Sequence, residues 1–205
     1  MWLKKIRVSI FILLFLLSSG VIAKTSPVVT LEKVADQMLT YLHQNQSELR
    51  NPKVIYRIVN VVLIPYVDME RMAGSVVGRQ YWQEATPAQR QTFIKEFEYL
   101  VVSTYSAALS SYNNDTIRFY PLRDNTDSHH VVKVDSVIVR KNGQRIPISY
   151  NLVLRGDRWK VYDFSIEGVS MVQSYHSQFA GVLAQGGMPA LLQRLIAHNR
   201  GNRVR

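Results

Sequence analysis

The chain has 205 residues, a formal net charge of +10 and no cysteine. That length fits one domain that buries a real core. The lack of cysteine excludes disulfides, thiol catalysis, thiolate metal sites and lipid attachment through an N-terminal thiol.

Lys4, Lys5 and Arg7 precede an almost unbroken apolar run from Val8 to Leu17, and Val21-Ile22-Ala23 follows with small or modest side chains. This is the pattern of a secretory signal peptide, cut after Ala23. The alternative is an uncleaved anchor, but the run is short for a span of about 20 residues. The expected organisation is a signal peptide at 1–23 and one α+β domain at 24–205. The leader supplies three of the basic residues, which leaves the mature chain at +7. Export without disulfides leaves the core alone to hold the fold. It also argues against nucleic acid and for anionic membrane surfaces, lipid headgroups or an acidic protein as partners. After Glu167 the chain has no acid, while Arg194, Arg200, Arg203 and Arg205 crowd its end. That end reads as a solvated tail or as an electrostatic dock.

Helical spacing begins at Leu31 and continues through Val34, Met38, Leu39 and Leu42 to about Leu49. Asn51-Pro52 starts a second helix that runs into Pro65, interrupted as a membrane span by Arg57 and Asn60. A short helix restarts at Tyr66-Val67-Asp68 and ends near Gly78. Gly74 and Gly78 have the small-xxx-small spacing that lets two backbones pack closely. Thr86-Pro87-Ala88-Gln89 is a capping box for a helix reaching about Ser110. Its stripe of Phe93, Phe97, Leu100, Val101, Thr104, Tyr105 and Ala108 tapers from large rings to small side chains. The taper leaves room for a ligand, or another element fills it.

The period then changes. Thr116–Leu122, His129–Lys141, Gln144–Arg155 and Arg158–Ile166 read as four strands, with Asn142-Gly143 as a type I′ hairpin signal. Helices return at Ser170–Gln185 and Pro189–His198, separated by Gly186-Gly187. Helices, an antiparallel meander and more helices make an α+β domain with helices packed on one sheet face.

The stretch Trp159–Ser170 is the densest in signals. A strand rich in aromatic residues breaks at Glu167-Gly168 and enters a helix that Ser170 and Gln173 cap. Such a corner can wall a cavity or sit in an ordinary core. The five histidines form no ligand set: His129 and His130 alternate across a strand, and the others fall on separate helices. Tyr162, Asp163 and Asp135 are the residues an enolising enzyme would use, but adjacent strand residues face opposite ways. No phosphate loop, zinc motif or calcium loop is present. The candidate ligand-contacting residues are therefore apolar or aromatic: Tyr66, Val67, Met72, Val76, Trp82, Phe97, Val101, Tyr105, Ile148, Tyr150, Tyr162, Ile166, Val169, Val172 and Phe179.

Several segments together resemble one family. They are Ile64-Pro65-Tyr66-Val67-Asp68, Val76 to Trp82, Thr86 to Arg90 with Phe93 and Phe97, Thr104-Tyr105, Trp159 to Ser170, Gln178-Phe179 and Gly187. In this order they resemble the MlaC, or toluene-tolerance, family of periplasmic phospholipid-binding proteins. The resemblance covers nearly the whole mature chain, with Ile64 where leucine is common. It implies a helical layer on a twisted four-stranded antiparallel sheet enclosing an apolar cavity. It further implies a monomeric periplasmic carrier with no cofactor and no catalysis. Its cargo would be phospholipid, passed between an outer-membrane lipoprotein complex and an inner-membrane ABC transporter complex. The fifteen candidates above would then line the cavity, with Ile166, Val169 and Val172 nearest the acyl chains. Arg79, Arg90 or Arg145 would stand near the headgroup. The alternative is a small-molecule enzyme with a cone-shaped α+β pocket.

Overall fold

The computed structural model describes residues 25–122 and 129–203, with side chains to Gly201. The expected signal peptide and the last two residues lie outside the described residues. Helices come first: α1 (Pro27–Gln44), α2 (Pro52–Val62), α3 (Met69–Val77), α4 (Arg79–Glu84) and α5 (Pro87–Ser110). A meander follows, β1 (Thr116–Phe119), β2 (Val131–Val139), β3 (Arg145–Arg155), β4 (Arg158–Ile166) and β5 (Val169–Ser170), and α6 (Met171–Arg203) closes the chain.

The start signals hold where they carry a side-chain cap. Asn51 accepts from the Lys53 N–H at the head of α2. At α5 the box closes both ways: Thr86 Oγ1 accepts from Gln89 N–H at 3.2 Å, and Gln89 Oε1 from Thr86 N–H at 2.8 Å. The structure differs at α1, which opens earlier because Pro27 takes a first-turn position, and at α4, which has no side-chain cap to betray it. Gly74 packs under the α4 indole rather than a second backbone: a Cβ there would stand 3.4 Å from the Trp82 ring.

The sheet has five strands in the order β1-β2-β3-β4-β5, all antiparallel, not the four expected. The fifth is two residues long and too short to leave a periodicity signal. The hairpin types also trade places. At Asn142-Gly143 only the glycine has positive φ, and Gly143 N–H reaches Arg140 carbonyl at 2.9 Å. This is a three-residue loop with a left-handed glycine, not type I′. The two-residue turn with both φ positive is Glu167 (51°) and Gly168 (84°), between β4 and β5.

Helix α6 breaks where the paired glycines fall. Gly187 has φ 60° and ψ −155°, a region open essentially to glycine alone. A Cβ on Gly186 would stand 2.7 Å from that of Ala190. Gly187→Ala should therefore cost about 1–3 kcal/mol, read as a lowered midpoint in a denaturant melt.

The core is three packed clusters. The largest joins α3, α5 and α6 through Met72, Val76, Phe93, Phe97, Met171, Tyr175, Leu183 and Leu191. A second joins α1, α2 and Val102 of α5. The third packs Leu31 of α1 on Val132, Val134, Leu152, Trp159 and Val161 of the sheet. Asn199, fully buried, ties the end of α6 to α5 by donating to the Glu96 carbonyl (2.9 Å) and carboxylate (2.7 Å).

Candidate functional site

The strand register sets out the site. Ser136, Ile148, Ile166 and Val169 are successive cross-strand partners on β2, β3, β4 and β5, so they form one row on one sheet face. Val134, Tyr150 and Phe164 form the next. Exposure climbs along the first row. Ile148 is buried at 6 %, Ile166 is half-buried, and Val169 ends the row 65 % exposed. The register thus groups three of the candidates, but only two of them lie under cover.

Above these rows stand the helices. Tyr105 of α5 meets Phe164 of β4 edge-on, centroids 5.5 Å apart, which joins the helical layer to the sheet. Phe164, absent from the sequence candidates, is what answers the taper of the α5 stripe. Deeper in the helices Phe97 stacks on Phe93 at 5.4 Å and takes Tyr175 on its edge at 5.2 Å. Phe179 packs on the same rings.

The remaining candidates divide by depth. Met72, Val76 and Phe97 are fully buried in the helical cluster, whereas Val67, Trp82, Val101, Tyr105, Val172 and Phe179 are half-buried against it. Tyr66 packs instead on the α1–α2 cluster and Tyr150 on the α1–sheet cluster. Tyr162 lies at a bulge in β4, where the register slips between Asn151 and Leu152. The half-buried residues mark a seam between helices and sheet, rich in rings that are neither in full water nor fully packed. Two open surface depressions, one along α1 and one on α4, lie away from it.

Two hydroxyl pairs lie along the seam. Tyr175 O–H donates to Thr104 Oγ1 at 3.1 Å, and Ser136 Oγ to Tyr150 at 3.4 Å. Burial pushes the Tyr150 and Tyr175 phenols above their ordinary range. It does the same to Tyr105, with Tyr175 and the Asp163 charge adding to it. All three are therefore neutral at pH 7.

Asp163 fixes the corner. Its carboxylate accepts from Ser170 Oγ (2.8 Å), Val172 N–H (3.1 Å) and Asn151 Nδ2 (3.3 Å). Ser170 Oγ in turn accepts from Gln173 N–H at 3.1 Å. The Ser170 half of the expected capping box is present, with Asp163 from β4 reinforcing it. Asp163→Ala should cost about 1–3 kcal/mol, because three donors lose a charged acceptor. A thermal melt checks this, and an unchanged midpoint would remove the residue from the corner's support.

The arginines expected near a headgroup fall in three places. Arg79 is exposed on α4, and Arg145 sits on the sheet face opposite the row. Arg90 leans over Trp82 at 5.4 Å and donates to Gln83 carbonyl. Among the described residues no group of three or more His, Cys, Asp or Glu could hold a metal, and no helix is long and apolar enough to cross a membrane.

The MlaC protein family model matches residues 32–197. The chain belongs to the MlaC family. It is 32% identical over 186 residues to the intermembrane phospholipid transport system binding protein MlaC of Haemophilus influenzae, covering 88% of this chain and 86% of that one. It is 28% identical over 167 residues to the toluene tolerance protein ttg2D of Pseudomonas putida, covering 81% and 77%. The phospholipid-binding protein of Ralstonia solanacearum, solved in complex with a phospholipid, superposes with a TM-score of 0.81 at 29% identity. That match covers 86% of this chain and 98% of the other. The capped corner at Ser170, the α5 stripe and the seam all lie inside the residues matched to the MlaC model.

Proposed function

We propose that this protein is a periplasmic phospholipid carrier, exported by a leader cut near Ala23 and acting as a monomeric lipid-binding domain. The observation that carries the reading is the likeness, over nearly the whole of both chains, to a protein solved with phospholipid bound. The acyl chains would lie in an apolar cavity opened along the seam. Its walls are the Ile148–Ile166 row with Phe164 on one side and Tyr105, Val101, Val172 and the helical rings on the other.

Physics suits the task. Two acyl chains carry about 30 methylenes at about 0.8 kcal/mol each, so bare transfer through water meets a barrier of roughly 20 kcal/mol or more. An apolar seam removes most of it without chemistry. A bilayer is equally apolar, so exchange between seam and membrane runs near balance. Direction then comes from the partners, an outer-membrane lipoprotein complex and an inner-membrane ABC transporter complex.

The small-molecule enzyme finds less support. Asp163 is committed to the corner, and Asp135 to Ser149 at 2.6 Å and Lys133 at 3.4 Å, which leaves neither as a base beside Tyr162.

Protein purified from bacterial cells and denatured for mass spectrometry should release phospholipid near one molecule per chain. Preparations that consistently release none would sink the carrier reading.

A further inference from the structure

One arginine near the seam keeps its charge unspent. Arg71 lies in the first turn of α3, half-buried, with its guanidinium carbon 4.0 Å from the centre of the Tyr162 ring. That is a cation–π contact, which holds the guanidinium against the ring face. The neighbouring carboxylate is already taken. Asp68 Oδ2 accepts from Arg155 Nε at 2.6 Å, and Oδ1 accepts from the Arg71 backbone N–H at 3.1 Å. Among the described residues no acceptor takes a hydrogen bond from the Arg71 guanidinium.

Its place is defined by strand β4. Val67 bridges Val161, and Asp68 N–H bonds the Val161 carbonyl at 2.8 Å. Strand β5 takes the same edge at Ser165 and Ile166. Tyr162 falls on the stretch between these two docked segments. Phe164, the sheet's ring in the seam, is two residues on, and Met72 beside Arg71 is buried in the helical cluster. A half-buried guanidinium with no hydrogen-bonded acceptor among the described residues thus stands against β4, two residues from the seam's Phe164.

We propose that Arg71, held on the Tyr162 ring, binds the phosphodiester of the carried lipid. The inference rests on the carrier reading and adds the residue that reads the headgroup. A guanidinium pairs with phosphate through two parallel N–H···O bonds, and a pre-oriented fork loses less freedom in doing so. Half-burial weakens screening by salt.

The test uses the purified protein, stripped of lipid and mixed with vesicles holding equal phosphatidylglycerol and diacylglycerol. The bound ratio is read by mass spectrometry. Both lipids offer two acyl chains, and only one carries phosphate. Arg71→Gln should lower the ratio of phosphatidylglycerol to diacylglycerol about tenfold, the scale of one charge-assisted hydrogen bond. Tyr162→Leu should lower it similarly by removing the platform, while Tyr162→Phe keeps it. An unchanged ratio in both Arg71→Gln and Tyr162→Leu overturns the proposal. So does an equal loss of both lipids, which marks a structural role. Displacement of bound lipid by millimolar inorganic phosphate overturns it too, since the site would then be a free-anion site. Failure of the unmodified protein to take up either lipid refutes the carrier reading instead, before any variant is compared.

Discussion

Tyr105→Glu should leave the fold standing and empty the proposed carrier of phospholipid. The ring lies half-buried in the seam against Phe164, and its phenol is pushed up first by burial and then by Tyr175 and Asp163. The site therefore already resists negative charge. A glutamate there either charges beside acyl chains or stays protonated at a cost, and several kcal/mol of lost lipid affinity follow. Occupancy should fall by about a hundredfold, equivalent to roughly 3 kcal/mol. The position is open enough for the carboxylate to turn toward water once lipid has left, so far-UV circular dichroism should be unchanged. Val169→Glu is the control. Val169 ends the sheet row 65 % exposed, so its substitution should stay within about twofold of the parent. Full occupancy in a folded Tyr105→Glu protein would mean that the lipid lies elsewhere.

The second large effect is on stability. Phe97 is wholly buried and touches the rings of Phe93, Tyr175 and Phe179. Phe97→Ala removes that ring from the meeting point of α5 and α6 and should cost about 3–5 kcal/mol. For a chain of this size each kcal/mol moves the melting midpoint by about 2–4 °C, so a fall of about 6–20 °C is expected. Bound phospholipid should recover part of the loss, because it favours the folded state by mass action. A fall under about 3 °C would remove Phe97 from the core.

Caps and periods made much of this fold legible. The α5 box, Asn51-Pro52, the glycine break in α6 and the run Arg158–Ile166 all depend on neighbours a few residues apart, and each stands as read. What failed to show was set at long range. Strand β5 and the β4 bulge exist through pairing with residues elsewhere, so no local pattern marks them. Phe164 reads in sequence like any strand aromatic, and only the packing of α5 on β4 puts it opposite Tyr105. Val169 shows the limit of reading by residue type. Its type and position in the corner point inward, but it ends its row on the shortest strand and is 65 % exposed among the described residues. Arg71 was hidden because its significance depends on Asp68 being committed to Arg155, 87 positions away.

The glycine break in α6 also bears on the order in which the chain can fold. Beyond it, Met188, Leu191, Leu192 and Leu195 join Met171, Tyr175 and Leu183 in the cluster with α3 and α5, so the last element supplies nearly half of that cluster's buried residues. The partners are separated by roughly a hundred positions, and closing such loops is slow. Until α6 is made, α3 and α5 lack nearly half of their shared core, and the apolar sheet face has α1 as its partner. Cooperative closure therefore waits on α6, and a chain cut short before the glycine break should stay loose and open to proteolysis.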